Sequence, residues 1–208
     1  RRQRQMCIRD STYSDEMQKI YEAVQATGCP PFTLVTVSNL AWNHDMAPWD
    51  SPAAFKKGEP FIGGADNYLQ LLVEEIIPRA EKELAEPPVW RGIAGYSLAG
   101  LFALYAIYRT DVFSRVGCMS GSLWFPGFKE YIFSHEPKRR PDCIYFSLGD
   151  KEAKTRNSVL KTVQENTEEI QAFYQSKGID TVFQLNPGNH FVQGIERTIS
   201  GIQWLLRR

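Results

Sequence analysis

The chain has 208 residues, 43% of them hydrophobic and 23% charged, which is enough apolar material for a buried core and too much for a disordered chain. Its 24 Lys and Arg balance 24 Asp and Glu, and without a basic excess neither nucleic acid nor an anionic membrane surface is an expected partner. No apolar run reaches the ~18 residues that span a bilayer, and the length suits a single domain over 1–208.

In chain order, the polar start Arg1 to Gln5 shows no signal peptide, and Met6-Cys7-Ile8 reads as a weak strand. Ser14 can cap a helix carrying Met17, Ile20, Tyr21 and Val24 at helical spacing, which Gly28 ends. Phe32 to Val37 is a β-branched strand. A Trp-, Pro- and Gly-rich segment, 39–64, interrupts the pattern. Asp66 is then the expected cap of a helix with Leu69, Leu72, Val73, Ile76 and Ile77 on one face, and Pro78 is expected to kink or break it. Val89 to Ala94 reads as a strand, Leu98 to Tyr108 as an apolar helix, and Val116 to Met119 and Cys143 to Leu148 as two further strands. An amphipathic helix with Val159, Leu160, Val163, Ile170, Phe173 and Tyr174 inward leads to the strand Val182 to Leu185. A final helix carries Ile195, Ile199, Ile202, Leu205 and Leu206. About six strands alternating with helices predict an α/β fold, a mostly parallel sheet with helices on both faces. Ligands of such sheets bind beyond the carboxyl ends of the strands.

None of the four cysteines, Cys7, Cys29, Cys118 and Cys143, forms a CxxC pair, so a zinc knuckle or a thioredoxin-type site is not expected. Three of them sit in the apolar runs read as strands, as buried free thiols would, and a reduced, cytoplasmic setting follows. No ligand cluster suggests a metal, no GxGxxG suggests a nucleotide, and no cofactor is expected.

The chemistry concentrates in loops that follow strands. Gly95-Tyr96-Ser97-Leu98-Ala99-Gly100 places GxSxG between a strand and a helix, the setting of a nucleophile elbow. The small Gly95, Ala99 and Gly100 permit a tight turn that lifts the Ser97 hydroxyl into solvent at a helix N-terminus. A serine needs a base. Of the three histidines, His44, His135 and His190, the last lies in Asn186-Pro187-Gly188-Asn189-His190, just after the final strand, where the order Ser, acid, His requires it. The acid belongs in Gly149-Asp150-Lys151-Glu152. Spacing from the glycine favours Glu152. Asp150 is the alternative acid, with pinning the loop through backbone N–H groups as its other role. One oxyanion donor is the backbone N–H of Leu98, and the second is expected near Asp10 to Tyr13, with Thr12 preferred. The 39–64 segment is aromatic and follows a strand on the same side, so it reads as a wall of the substrate pocket. With Ser120 to Phe128 as a second wall, the candidate pocket residues are Trp42, Asn43, Trp49, Tyr96 and Trp124.

Four runs together resemble the esterase D-like group of α/β-hydrolases, the Putative esterase family, which includes siderophore trilactone esterases. They are Gly95 to Ala103, Ser120 to Phe125, Ser147 to Glu152 and Pro187 to Phe191; Trp49 and Gly63-Gly64-Ala65-Asp66 also fit, and the likeness spans nearly the whole chain. The resemblance implies an α/β-hydrolase fold without its first two antiparallel strands. It also implies serine esterase activity on a small-molecule ester, with Ser97, His190 and an acid at Glu152. Lys154 and Arg156 are the basic residues after that acid. An acyltransferase on the same triad, or a catalytically silent binding protein of the same fold, are the other readings; a homodimer stays open.

Overall fold

A computed structural model describes residues 3–8 and 14–208. Its centre is a six-stranded sheet of β1 (Gln3–Ile8), β2 (Phe32–Val37), β3 (Arg91–Tyr96), β4 (Arg115–Met119), β5 (Cys143–Gly149) and β6 (Asp180–Asn186). The strands pair in the order β2-β1-β3-β4-β5-β6, every pair parallel. Antiparallel pairing among the described residues is confined to the bridge between Ser51 and Phe61.

Parallel strands need helical crossovers, and the helices cover both faces. On one face lie α1 (Ser14–Gln25) and α8 (Gly194–Leu206). On the other lie α3 (Ala65–Leu71), α5 (Leu98–Arg109), α6 (Phe128–Ser134) and α7 (Val163–Ser176). Alternation along the strands serves the two layers. Ile93, Val116, Cys118, Ile144 and Phe146 join the α5 side, while Ala94, Tyr96, Met119, Cys143 and Tyr145 join the α8 side. This is why β4 and β5 are buried at every position. Helix α5, whose first eleven residues are all buried, needs no polar face because it is enclosed.

Several expectations are corrected. The N-cap of α3 is Gly64, not Asp66. The Asp66 carboxylate instead accepts the Tyr105 hydroxyl at 2.9 Å and both forks of Arg109 at 2.9 Å, which pins α3 against α5. Pro78 neither breaks nor ends the helix. After α3 the chain takes a π-helical turn, Leu72–Ile76, and resumes as α4 (Ile77–Lys82) with Pro78 in its first turn. In a regular helix the proline ring would meet the Glu74 carbonyl; the widened turn relieves that, and a first-turn proline leaves no missing N–H. Strand β3 starts at Arg91, two residues later than expected, and the Trp90 ring just before it lies under the Arg115 guanidinium at 3.9 Å. Two short helices, α2 (Trp42–Asp45) and α6, were not foreseen.

The core prediction concerns Phe102, fully buried on α5 with its ring 5.4 Å from that of Tyr68. Phe102→Ala should cost about 3–5 kcal/mol through lost transfer energy and the cavity left behind. Urea unfolding of the two proteins measures it.

Candidate active site

Ser97 stands between the end of β3 and the first residue of α5, with φ 61° and ψ −126°. A non-glycine residue there carries strain of order 1–3 kcal/mol, so its surroundings must impose it. The Ser97 amide donates to the Met119 carbonyl at 3.0 Å, and the Ser97 carbonyl accepts the amides of Gly100 and Ser122, each at 3.0 Å. A side chain at Gly95 would overlap the Ala99 backbone, so the turn can close only over glycine. Local sequence thus sets the sharp bend, and the bend sets the hydroxyl on the sheet's carboxyl rim.

Two later loops reach the same rim. His190, in the turn after β6, directs Nε2 to the Ser97 Oγ at 2.9 Å and Nδ1 to Glu152 Oε2 at 2.8 Å. Glu152, in the turn after β5, has its other oxygen, Oε1, saturated by the Ser120 hydroxyl at 2.9 Å, the Gly149 amide at 2.7 Å and Arg197 Nη1 at 2.9 Å. Asp150 does not touch His190. Its Oδ1 accepts the Gly188 amide at 2.8 Å, and its own amide donates to the Asn186 carbonyl at 2.7 Å. Of the two competing carboxylates, Glu152 therefore meets the imidazole and Asp150 ties the two turns together. Gly149 is required at this junction, since a Cβ would run into the Gly188 carbonyl.

Burial acts on the Glu152 carboxyl to raise its pKa, but the hydrogen bond and charge of His190, with the Gly149 amide and the Ser120 hydroxyl, outweigh it and hold the pKa below the ordinary glutamate range. An ionised carboxylate against Nδ1 fixes the imidazole with its Nδ1 proton toward Glu152 and leaves Nε2 to accept from the serine. Tyr96 packs beside this pair, its ring 5.4 Å from the imidazole and its hydroxyl donating to the His190 carbonyl at 2.7 Å.

Ser97 and His190 lie where two clefts meet. One, of about 490 Å³, is lined by Trp42, Tyr96, Gln193, Ile195, Glu16 and Glu196. The other, of about 420 Å³, is lined by Phe55, Trp124, Leu160, Val163, Lys151 and Lys154. Phe191, 88% exposed, borders both. Trp42, Tyr96 and Trp124 are thus brought to the site. Asn43 and Trp49 line neither cleft. Asn43 donates its amide to the Glu59 and Pro60 carbonyls and holds the loop on itself. Trp49 turns inward, bonding the Pro126 carbonyl at 3.0 Å and packing on Phe125 and Tyr131. The 39–64 segment therefore divides its aromatics: Trp42 and Phe55 face the clefts, while Trp49 and Phe61 are anchors. Leu98 opens α5 beside the nucleophile. Thr12 lies outside the described residues.

Sequence reasoning passed over the roles of Ser120 and Arg197. Ser120 lies in the expected second wall and in one of the family-like runs, but its bond to the acid was not foreseen; it is fully buried with φ 45°. Arg197 did leave a signal: it lies on the buried stripe Arg197, Gly201, Leu205 of α8, at the i, i+4, i+8 spacing where an apolar residue is expected.

A parallel sheet with this turn, histidine and acid on one rim defines an α/β-hydrolase. The chain belongs to the Putative esterase family, whose profile matches residues 12–198. The uncharacterized protein YbbA of Bacillus subtilis (strain 168) is 22% identical over 203 residues, covering 94% of this chain and 81% of YbbA. Among solved structures, the siderophore hydrolase EstB from Aspergillus nidulans aligns with a TM-score of 0.75 at 17% identity, over 98% of this chain and 82% of EstB. An IroE-like serine hydrolase from Shewanella oneidensis aligns at 0.76, also with 17% identity, over 99% of this chain and 71% of its own. No helix among the described residues is long and apolar enough to cross a membrane.

Glu152→Gln should cost about 3–5 kcal/mol at neutral pH, because it leaves the Arg197 guanidinium buried without its countercharge. The folded-state pKa lies below the unfolded one, so the carboxylate's contribution is fully present above the unfolded pKa of about 4.3 and is lost as pH falls through the lower folded value. Denaturant titrations should therefore show a wide gap between wild type and variant at pH 7 that narrows below about pH 4.

Proposed function

We propose that the protein is a serine hydrolase that cleaves carboxylic esters through an acyl-enzyme, with Ser97 as nucleophile, His190 as base and Glu152 as the acid. The observation that carries this reading is the unbroken chain Ser97 Oγ, His190 Nε2, His190 Nδ1, Glu152 Oε2, with links of 2.9 and 2.8 Å, at the junction of two clefts.

In this scheme the Ser97 oxygen forms a bond to the ester carbonyl carbon as its proton passes to His190 Nε2. The imidazolium is balanced by Glu152, which keeps its own charge. The carbonyl oxygen becomes an oxyanion beside the first turn of α5, where the Leu98 amide is one donor and Thr12 the proposed second. Collapse of the tetrahedral centre breaks the bond to the alcohol oxygen, which takes the proton from His190. Water, deprotonated in turn by His190, then releases the acid and restores Ser97.

The paired clefts leave room for a substantial group on each side of the scissile bond. The second cleft combines Phe55 and Trp124 with Lys151 and Lys154, which suits an aromatic or anionic group on that side. Siderophores that carry ester bonds are therefore the first natural candidates to assay, since the similar EstB is a siderophore hydrolase.

Ser97→Ala should lower hydrolysis of p-nitrophenyl acetate at least about 10³-fold. Equal rates in the two proteins would exclude the assignment.

A further inference from the structure

We propose that Arg197 is a positioning residue for this reaction, fastening the acid and the histidine-bearing turn into one unit. The inference rests on the ester-hydrolase reading and goes beyond the three triad positions.

The Arg197 side chain is 1% exposed. Its Nη1 donates to Glu152 Oε1 at 2.9 Å, to the Ser120 hydroxyl at 3.0 Å and to the Tyr96 hydroxyl at 3.2 Å. Its Nη2 donates to the Pro187 carbonyl at 3.2 Å and the Asn189 carbonyl at 3.1 Å. One planar group thus reaches the turn after β5, the loop after β4, the end of β3 and the backbone just before His190. Only a guanidinium offers this fork; an ammonium is a point charge that reaches one side or the other.

The division of labour at Glu152 shows what the fork accomplishes. Oε1 has three donors, so the carboxylate cannot rotate, and Oε2 is left facing His190 Nδ1. Nη2 meanwhile holds the peptide carbonyl that precedes His190, which fixes how far the imidazole extends toward Ser97. Arg197 touches no reacting atom and acts through Glu152 and His190.

Its charge has a second effect. The groups facing Glu152 are His190 from the turn after β6, Arg197 from α8, Tyr96 from β3 and Cys118 from β4, with Asp150 and Lys151 on its own turn. Arg197 is the permanent cation in contact with the carboxylate. Its charge adds to the bonds from His190, the Gly149 amide and the Ser120 hydroxyl that hold Glu152 ionised against its burial, and removing it weakens that balance toward a protonated acid that no longer supports the imidazolium.

The test compares Arg197→Met and Arg197→Lys with wild type on p-nitrophenyl esters. Rates are divided by the concentration of sites labelled by a fluorophosphonate probe, so that misfolded protein does not count. Arg197→Met should lower kcat per labelled site about 10²-fold, the scale of a slight misplacement of catalytic groups, with KM little changed. Its acidic limb of kcat should move to higher pH. Arg197→Lys should recover part of kcat and return the acidic limb toward that of wild type, because the charge remains while the fork is lost. Should Arg197→Met yield no labelled protein, Arg197→Lys decides alone, with a lower kcat at unchanged KM as the supporting result. The proposal is overturned if kcat per labelled site and the acidic limb match wild type. It is equally overturned if Arg197→Lys loses activity only through a loss of labelled sites, which is a purely structural role. A wild-type protein that the probe does not label sinks the ester-hydrolase reading itself, a separate outcome.

Discussion

The link from Ser97 through His190 to Glu152 joins the ends of three different strands, and its two hydrogen bonds of 2.9 and 2.8 Å leave little room for error. Such a chain exists only if β3, β5 and β6 end at matched heights. The parallel register supplies this: Met119 pairs with Tyr96 and with Ser147, and Gly149 pairs with Asn186. The sheet is in this sense a ruler that places three loops on one rim. Close-packed glycines finish the alignment, Gly95 under the bend and Gly149 against the Gly188 carbonyl. The helices flanking the sheet meet the site through α5, whose start adjoins Ser97, and α8, whose Arg197 reaches back to Glu152.

Much of this was legible because the relevant signals are local. The strand Phe32–Val37 is written in β-branched residues and falls where periodicity places it. GxSxG between an apolar strand and an apolar helix specifies a bend, and the turn after β6 could be found because it carries the one histidine that follows the last strand. The pair Asp150 and Glu152 was ambiguous because both follow β5. What separates them is a hydrogen bond from the Gly188 amide, thirty-eight residues further along, a distance over which sequence spacing says nothing.

The misses share a physical cause: the residue's role is set by partners remote in the chain. Asp66 looks like a cap, but Arg109 and Tyr105 on another helix recruit it. Trp49 looks like a pocket wall in an aromatic loop, yet it is drawn into a cluster with Phe125 and Tyr131. Arg197 was passed over, and it is buried at the site because Glu152 and the Pro187 and Asn189 carbonyls, on other segments of the chain, recruit it.

The tie between Asp150 and Gly188 bears on how this scaffold can be diversified. With Arg197 also bonded to both turns, the acid-bearing and histidine-bearing loops form one inseparable module, and transplanting either without its mate would leave a donor or an acceptor stranded. The 39–64 segment is anchored to the body at Trp49 and Phe61, which pack on Phe125, and also closes on itself through Asn43 and the Ser51–Phe61 bridge. Sequence variation is therefore most readily accommodated there, between those anchors, in a stretch that can be rewritten while the rim holding Ser97, His190 and Glu152 keeps its shape.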